Sequence, residues 1–587
     1  MKQNVITKEK KGISLIVLVI TIIVVIILAA VVILTIQKNN PVDSAKDATF
    51  KEDIYNFKTE LELYKAKASH NGEDVTKLYA NKETDPSIKD VITSITRKYL
   101  NKLEVREGKL VYVGKDKTEY ILAKDMGMLP DDALLDDDIL TELKPFITEW
   151  TVEAGDSITL PIRGKCNFTV DYGDGTGVYK VTSATDENRI HTYENAGKYV
   201  VKINGKCENF VLNAINISRD KFTKIVQWGD IECTQLNFNS CTSLIGPLPE
   251  PSKNSFSRVN SLSFSNCTNL SGEIPERLFY NIPKLTNFEY MFYNCKNITG
   301  SIPAKLFSKC TNALNFGIFF AGCSGLTGTI PENLFSNCHE LTDVRQFFSG
   351  CSGLTGSIPE NLFKNCTKIK TFYYTFGGCT NLTGMIPEKL FCYCPDSINF
   401  CGTFRNCINI TGPIPDKLFV NSSKVITFEY LFYNCSNLSG EIPETLFQNC
   451  YQVTTMAIVF EGCTNITGSI PQNLFKNCSN INDARQIFCG CSNLTGSIPE
   501  ELFKNCPEIK NVRQLFSGCS KLTGEIPEGL FSNCSNISNY YATFSNCTGL
   551  SGNAIDLWNR DNVTSSQYCY RNCTQLSNYN DIPSGWK

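Results

Sequence analysis

Apolar and polar positions repeat with a period of 28 residues through more than half of the chain. A cysteine stands at eleven positions 28 residues apart, from Cys267 to Cys547, with a phenylalanine three residues before it and a glycine five residues after it. Ile-Pro recurs in ten successive copies, from Ile274-Pro275 to Ile526-Pro527. One repeat is too small to bury its own apolar side chains, so this fixed period predicts stacked coils that share one core.

The spacing is shorter at both ends of the array, from Cys241 to Cys267 and from Cys547 to Cys573. Atypical terminal units are expected of capping repeats, which close a stack against solvent. We therefore predict 13 units in a solenoid over residues 241–575. A linker and N-terminal cap over 216–240 precede it, and a C-terminal cap over 576–587 follows.

The N-terminal region contains an uninterrupted run of 24 uncharged, mostly aliphatic residues from Ile13 to Ile36. A helix of this length reaches roughly 36 Å at about 1.5 Å per residue, enough to cross a bilayer core. Lysines precede the run and a mixed-charge stretch follows it, so the positive-inside rule places the short N-terminus in the cytoplasm. The pattern predicts a single-pass anchor over 13–36 and a location at the bacterial cell surface.

The start of this run, Lys10-Lys11-Gly12-Ile13-Ser14-Leu15-Ile16, resembles the signal of type IV prepilins. The resemblance implies a cytoplasmic leader over 1–12 and a prepilin peptidase that cuts between Gly12 and Ile13. The family usually has a glutamate at the position where this chain has Val17. A plain membrane anchor is the alternative interpretation.

The region after the apolar run looks like the rest of a pilin. Residues 45–68 have apolar positions at helical spacing and no proline, which predicts an amphipathic extension of the helix. Lys109–Val113 and Glu119–Leu122 predict a hairpin. Residues 37–130 are therefore expected to form a long helix and a small sheet.

An acidic patch at Asp131–Asp138 predicts a linker over 131–149, and short strands follow it. Val170–Thr176, His191–Tyr193 and Ala196–Val201 resemble the motifs of PKD-type domains. The resemblance implies a β-sandwich over 150–215 that acts as a spacer or a binding module. Two of its carboxylates, Asp171 and Asp174, could bind calcium, but capping of turns by their side chains is the favoured interpretation.

The repeats themselves resemble a known family. Their consensus, Phe-x-x-Cys-[Ser/Thr]-x-Leu-[Ser/Thr]-Gly-x-Ile-Pro-x-x-Leu-Phe-x-x-Cys, resembles the BspA-like leucine-rich repeats of bacterial surface proteins over about residues 225–587. The stretch Leu354–Pro359 also looks like the Leu-x-Gly-x-Ile-Pro motif of plant-type repeats. Within the BspA-like family, adhesion is the role that the resemblance implies.

The 28 cysteines have two interpretations, one chemical and one structural. Redox chemistry, metal binding or disulfides would be the chemical one, but metal sites need close pairs of ligands. A cysteine that fills a small buried slot in every coil explains the regular column better. Cys166 and Cys207, outside the array, are the best candidates for a disulfide.

Two positions of each repeat, just after the apolar residue that opens the Phe-x-x-Cys unit, vary in a way that predicts a binding face. If exposed, they form a stripe rich in tyrosine, arginine and glutamine, and tyrosine and arginine favour binding surfaces. A solvated face without a ligand is an equally weighted alternative. The candidate residues are Tyr290, Arg345, Gln346, Tyr373, Tyr374, Tyr430, Arg485, Gln486, Arg513, Gln514 and Tyr541.

Charge and composition narrow the function classes. A net charge of -3 gives no indication of nucleic-acid binding, and 3 histidines leave little for acid–base catalysis. We find no nucleophile–base arrangement, metal cluster or phosphate loop, so we expect no enzyme and no cofactor.

The sequence as a whole predicts a mixed multidomain protein with a pilin-like α+β head, a PKD-like β-sandwich and a leucine-rich-repeat solenoid. Its predicted function is adhesion, or the binding of an extracellular protein or glycan. The alternative is a structural surface or minor pilus component without a specific ligand.

Overall fold

The computed structural model describes residues 103–106, 109–112 and 134–135 by their backbone, and residues 144–212, 218–252 and 255–587 in full. The chain divides into two compact units, residues 1–143 and 144–587. The predicted leader, the cleavage site at Gly12 and Ile13, and the pilin-like helix lie outside the described residues, so they stay predictions.

Within the described residues, no helix combines the length and the apolar composition that a bilayer crossing requires. The helices described there are 3₁₀ helices of three or four residues, because glycine, proline and asparagine punctuate the repeats every few positions. This finding contradicts the prediction that a single-pass anchor holds the protein at the cell surface, so that prediction is wrong. Residues 13–36 themselves lie outside the described part.

Three short strands are described in the first unit. β1 (Leu103–Arg106) pairs antiparallel with β2 (Lys109–Tyr112), and β2 pairs in parallel with β3 (Leu134–Leu135). The predicted hairpin joined Lys109–Val113 to Glu119–Leu122, which lies outside the described residues; the described partners of β2 are β1 before it and β3 after it. Two residues separate β1 from β2, which is the preferred length of a hairpin loop.

The second unit begins with nine strands. Their bounds are β4 Phe146–Val152, β5 Ser157–Thr159, β6 Ile162–Asp171, β7 Val178–Ser183, β8 Ile190–Thr192, β9 Gly197–Val211, β10 Phe222–Gln227, β11 Gln235–Asn237 and β12 Ser261–Ser263. Seven of them form one sheet in the order β10-β4-β9-β11-β12, with β6 pairing to both β9 and β7. Strands β5 and β8 form a separate pair.

The sequence predicted a separate β-sandwich before the repeat array. The observed sheet instead continues into the array. The physical reason is the length of β9, which has 15 residues. Its first part pairs with β4 and its last residues pair in parallel with β11, the first strand of the array. The sheet is therefore open, and its buried side chains join those of the array in one hydrophobic core.

Successive coils of the array are joined by backbone hydrogen bonds. In the coil of Phe288, alternate backbone N–H groups donate to carbonyl oxygens of the next coil, as from Tyr290 to Gly317 and from Phe292 to Phe319. A second line of bonds runs on another side of the coil, as from Thr299 back to Gly272. Parallel bridges between equivalent residues of neighbouring coils extend this pairing along the array, as at Asn287 and Asn315.

The phenylalanine three residues before each column cysteine forms a ladder inside the stack. Neighbouring rings lie nearly parallel, with centroids 5.8 Å apart for Phe376 and Phe404 and 5.7 Å apart for Phe404 and Phe432. These rings are completely buried. At the C-terminal end, Tyr570 continues the ladder and Trp586 stacks beyond it at 6.4 Å, so aromatic side chains cover the last coil.

The column cysteines fill the space beside this ladder and also satisfy its backbone. Twelve thiols, from Cys267 to Cys573, donate to a phenylalanine carbonyl of the preceding coil at 2.9–3.1 Å. Burial raises the pKa of these thiols, to about 12 for Cys407 and Cys463, which keeps the donor hydrogen on the sulfur. The column cysteines therefore have two structural roles: they fill space in the interior, and their thiols donate hydrogen bonds.

All 28 cysteines are free thiols in the structure. Cys166 and Cys207 lie directly opposite each other on β6 and β9, without a bond between them.

In each of the eleven coils from that of Cys295 to that of Cys573, two residues lie in the left-handed region of backbone conformation. The residue before the column cysteine is in most coils asparagine or glycine, which tolerate it. The residue five before the cysteine also has positive φ, between 51° and 64°, but the chain has tyrosine, isoleucine, glutamine or alanine there in all but one of eleven coils. A left-handed non-glycine residue costs roughly 1–2 kcal/mol. The array therefore carries strain at a position that glycine would relieve.

We expect the buried column thiols to be unreactive while the protein is folded, because burial raises their pKa and excludes reagents. Iodoacetamide at about pH 8 should label Cys392, which is half-buried, at least about tenfold faster than Cys407. Labelling followed by peptide mass spectrometry measures both rates. Rapid labelling of Cys407 in the folded protein would contradict the buried ladder, and labelling in denaturant supplies the reference rate.

Substituting Gln346→Gly should raise the free energy of unfolding by about 0.5–1 kcal/mol, because glycine relieves the left-handed strain at φ 51°. The matched control is Ser349→Gly in the same coil, at a residue without positive φ, which should be destabilising by a similar amount. Chemical denaturation measures both variants. A loss of stability in both would show that the left-handed position carries no strain.

Candidate functional site

Four positions of each coil line one side of the array, and they lie eight, six, five and two residues before the column cysteine. We call this side the variable face; in the coil of Cys351 it consists of Asp343, Arg345, Gln346 and Ser349. All eleven predicted binding residues occupy its third or second position, the residues five or six before a cysteine. The backbone hydrogen bonds between coils bring these positions side by side.

The first position orients the second. The side-chain oxygen of Asp343 accepts a hydrogen bond from the backbone N–H of Arg345 at 2.9 Å, and Asn539 does the same for Tyr541 at 3.0 Å. Such side-chain turns fix the local backbone and account for the recurrence of Asp, Asn and Thr there. The third position, which has the left-handed backbone conformation, is the next residue in the chain.

Two of the predicted arginines are neutralised within the protein. Arg345 pairs with Asp343 in its own coil and with Glu289 two coils away, and its guanidinium crosses the small residue Gly317 between them. Burial raises the pKa of Asp343, and the Arg345 backbone N–H and guanidinium act in the opposite direction.

The same clamp recurs in the second half of the array. Arg485 pairs with Asp483 and with Glu429, and Ala457 is the small residue in the coil between them. Since each guanidinium already faces two carboxylates, Arg345 and Arg485 have little charge to offer a ligand.

The centre of the face is different. The guanidinium of Arg405 lies 5.6 Å from the ring centre of Tyr374, 5.4 Å from that of Tyr430 and 5.2 Å from that of Tyr433. Its Nη1 donates to the Tyr374 hydroxyl at 3.3 Å. The Tyr373 ring lies 4.6 Å from that of Tyr374. We call these five residues the tyrosine–arginine cluster.

A glycine makes room for this cluster. Gly402 is the left-handed residue of the Arg405 coil, and a Cβ there would come within 2.5 Å of the Tyr374 ring. The ring therefore lies across the neighbouring coil only because that coil has no side chain at this position. Burial raises the pKa of Tyr373 and Tyr374, so both phenols stay protonated at neutral pH.

The electrostatics of the cluster are unbalanced. In the described part of the chain, Arg405 has no ion pair, and its Nε is buried without a hydrogen-bond partner. The carboxylate of Glu429, in the next coil, is engaged by Arg485. A half-buried cation surrounded by aromatic rings is stabilised by cation–π attraction but keeps its net charge.

The remaining predicted residues are more dispersed. Gln486 donates to Glu461 at 2.8 Å, and Arg513 donates to Gln514 at 3.1 Å while it stacks 4.8 Å from the Tyr541 ring. Tyr290, at the N-terminal side of the face, is 43% exposed. These residues form separate contacts and no second cluster like that around Arg405 within the described residues.

Sequence analysis missed Arg405 and Tyr433, which occupy the position two residues before the column cysteine. That position varies from coil to coil as much as the two positions that were examined. The variability of this position was the signal that could have identified Arg405 and Tyr433. The sequence did not indicate, however, which side chains between the phenylalanine and the cysteine point outward.

A groove follows the Ile-Pro motifs on another side of the array. Its two contiguous parts have volumes of about 900 and 830 Å³ and share Pro413. Acidic residues line it, including Glu332, Glu360 and Glu388, of which Glu388 pairs with Lys417 at 3.3 Å.

The proposed calcium ligands of the middle region cap turns. Asp171 accepts from the Gly173 backbone at 2.9 Å, and Asp174 accepts from Thr176 and pairs with His191 at 2.6 Å. Among the described residues, no group of three or more His, Cys, Asp or Glu side chains could hold a metal ion.

Comparison with solved structures finds two of the Arabidopsis receptor kinase HAESA, one with the peptide hormone IDA and the co-receptor SERK1 and one of its leucine-rich-repeat ectodomain with an N-terminally extended IDA peptide. They are 18% and 16% identical to this chain, with TM-scores of 0.28 and 0.27, and each match covers 57% of this chain. The chain spans 65% and 61% of those receptor chains. Similarity at this level gives no information about a ligand.

No curated protein matches the chain. One protein-family model matches residues 221–333, 260–388, 398–528 and 504–586, which leaves the predicted prepilin-like leader and the whole PKD-like region outside the matched segments. Those two resemblances stay predictions. Because the matched segments together cover more than half of the 587 residues, the chain belongs to the family described as "Mycoplasma protein of unknown function, DUF285".

Proposed function

We propose that this chain is a non-enzymatic binding protein whose repeat array holds a protein ligand on the variable face, with the tyrosine–arginine cluster at the centre of the contact. The observation that carries the proposal is the cluster itself, in which three tyrosine rings surround one arginine that has no counter-charge among the described residues and a fourth tyrosine packs on one of them. Tyrosine and arginine supply most of the binding energy at many protein interfaces.

The strain of the variable face supports the same function. Residues in sparsely populated backbone conformations gather at functional sites, because stability alone would favour their replacement. Here the strained positions include Tyr290, which is exposed, and Tyr374 and Tyr430, which are half-buried.

We interpret residues 241–575 as a BspA-like leucine-rich-repeat solenoid and residues 150–215 as a PKD-like spacer, with adhesion or glycan binding as narrower forms of the binding function. The extent of the backbone pairing between coils supports the first of these. No membrane attachment is part of the proposal.

A structural component without a specific ligand is the second candidate. The two clamps favour it, since the pairing of Glu289 with Arg345 is repeated by Glu429 with Arg485. The two pairs lie 140 residues apart, which is five repeats, and duplication of a five-repeat block would produce similar surfaces without any selection for binding. The tyrosine–arginine cluster, by contrast, has no copy elsewhere in the described array, where Tyr541 and Arg571 stand at related positions without the same enclosure.

To test the proposal, the full chain should be probed on arrays of purified proteins and glycans. The double variant Tyr373→Ala/Tyr430→Ala should weaken every specific interaction at least about tenfold, because two aromatic anchors are lost. The matched control is Glu332→Ala/Glu360→Ala in the Ile-Pro groove, which should bind as the unchanged protein does.

Thermal unfolding of both variants shows whether the fold is kept. Equal weakening by the groove variant would place the contact elsewhere, and an absence of any specific interaction on both arrays would favour the structural candidate.

A further inference from the structure

We propose that Arg405 is a receptor for a carboxylate, and that the ligand of the variable face presents an acidic side chain or a C-terminal carboxylate to it. This inference rests on the proposed function and names the chemistry of its central contact. It starts from a contrast among the arginines of one surface. Arg345 and Arg485 each face two carboxylates, whereas Arg405 faces none in the described residues.

The guanidinium of Arg405 is already positioned by its surroundings. Three tyrosine rings lie 5.2–5.6 Å from it, and the Tyr374 hydroxyl accepts from Nη1. A guanidinium held in this way loses little conformational freedom on binding, since the rings restrict its rotation before the ligand arrives.

The donors that remain define the shape of the partner. Nη1 donates to the Tyr374 hydroxyl, whereas the buried Nε has no hydrogen-bond partner in the described part of the chain. Nε shares one edge of the guanidinium with Nη2. Two N–H groups on one edge of a planar guanidinium match the two oxygens of a carboxylate. A buried donor without a partner is costly, and a ligand oxygen at Nε removes that cost.

Access and charge are consistent with this ligand. Tyr430 and Tyr433 are only half-buried, and the proposal requires their rings to rotate so that a ligand oxygen reaches the buried Nε. The cluster has one uncompensated positive charge, and the carboxylate of Glu429 in the next coil is already paired with Arg485. A singly charged carboxylate balances this charge, whereas a doubly charged phosphate would leave an excess of negative charge beside Glu429.

The test uses the full chain and fluorescently labelled hexaglutamate, with hexaglutamine as the neutral probe, both with an amidated C-terminus. Fluorescence anisotropy should show binding of amidated hexaglutamate that weakens as salt is added, and no binding of amidated hexaglutamine. Hexaglutamine with a free C-terminus then shows whether a C-terminal carboxylate is bound as well as an acidic side chain. Arg405→Gln should weaken hexaglutamate binding at least about tenfold, and Arg405→Lys should weaken it less, because lysine keeps the charge without the two-pronged geometry.

The matched control is Arg571→Gln. Arg571 stands two residues before its column cysteine, as Arg405 does, but it stacks on the single ring of Tyr568 at 5.3 Å. This variant should bind hexaglutamate within twofold of the unchanged protein. Equal weakening by both glutamine variants would reduce the effect to general charge attraction and overturn the proposal.

Two further outcomes would also overturn it: a failure of hexaglutamate to bind at all, or displacement of bound hexaglutamate by phosphate or sulfate at lower concentrations than by acetate. The failure of this inference is distinguishable from failure of the proposed function. Suppose that the ligands found on the protein and glycan arrays lose affinity for Tyr373→Ala/Tyr430→Ala but not for Arg405→Gln. The binding face is then supported, and Arg405 as a carboxylate receptor is ruled out. If the tyrosine variant binds them normally, the binding face itself is wrong.

Discussion

The backbone hydrogen bonds between successive coils are the constraint on which the rest of this structure depends. A single coil has almost no regular secondary structure of its own, and its polar backbone would be costly to bury alone. Stacking solves both problems at once, because each coil donates N–H groups to the next and accepts from the previous one. The phenylalanine ladder and the cysteine thiols then fill the interior that this pairing creates.

The same constraint makes the variable face what it is. The residues whose N–H groups donate to the next coil include Ile318 and Ile458, which have left-handed conformations. The pairing also holds equivalent side chains in columns. Neighbouring coils can therefore cooperate, and small residues such as Gly317 and Gly402 decide which side chains reach across them.

Charge is handled differently along this face. Where an arginine is needed for cohesion, as at Arg345 and Arg485, it is paired with carboxylates from two coils. Where it is surrounded by tyrosines, as at Arg405, the charge is left without a partner in the described residues. Exposed ion pairs contribute little to stability, so the clamps matter mainly because they fix side-chain positions.

The sequence by itself determined the repeat, its period and the buried columns, because a strictly periodic spacing of Phe, Cys, Gly and Ile-Pro has one physical solution, a stack with a shared interior. It also identified most of the face, since Tyr373, Tyr374 and Tyr430 stand at variable positions between constant apolar ones.

Only the tertiary structure decided which of these residues act together. Side-chain contacts join residues of neighbouring coils and of coils two apart, as between Arg405 and Tyr374 or between Arg485 and Glu429. Their geometry depends on the backbone handedness of each coil and on the size of the residue between them. The sequence shows Arg405 and Arg345 alike as arginines at variable positions, and only the tertiary structure distinguishes them: the Nε of Arg405 is buried without a hydrogen-bond partner in the described residues, whereas Arg345 is paired with two carboxylates.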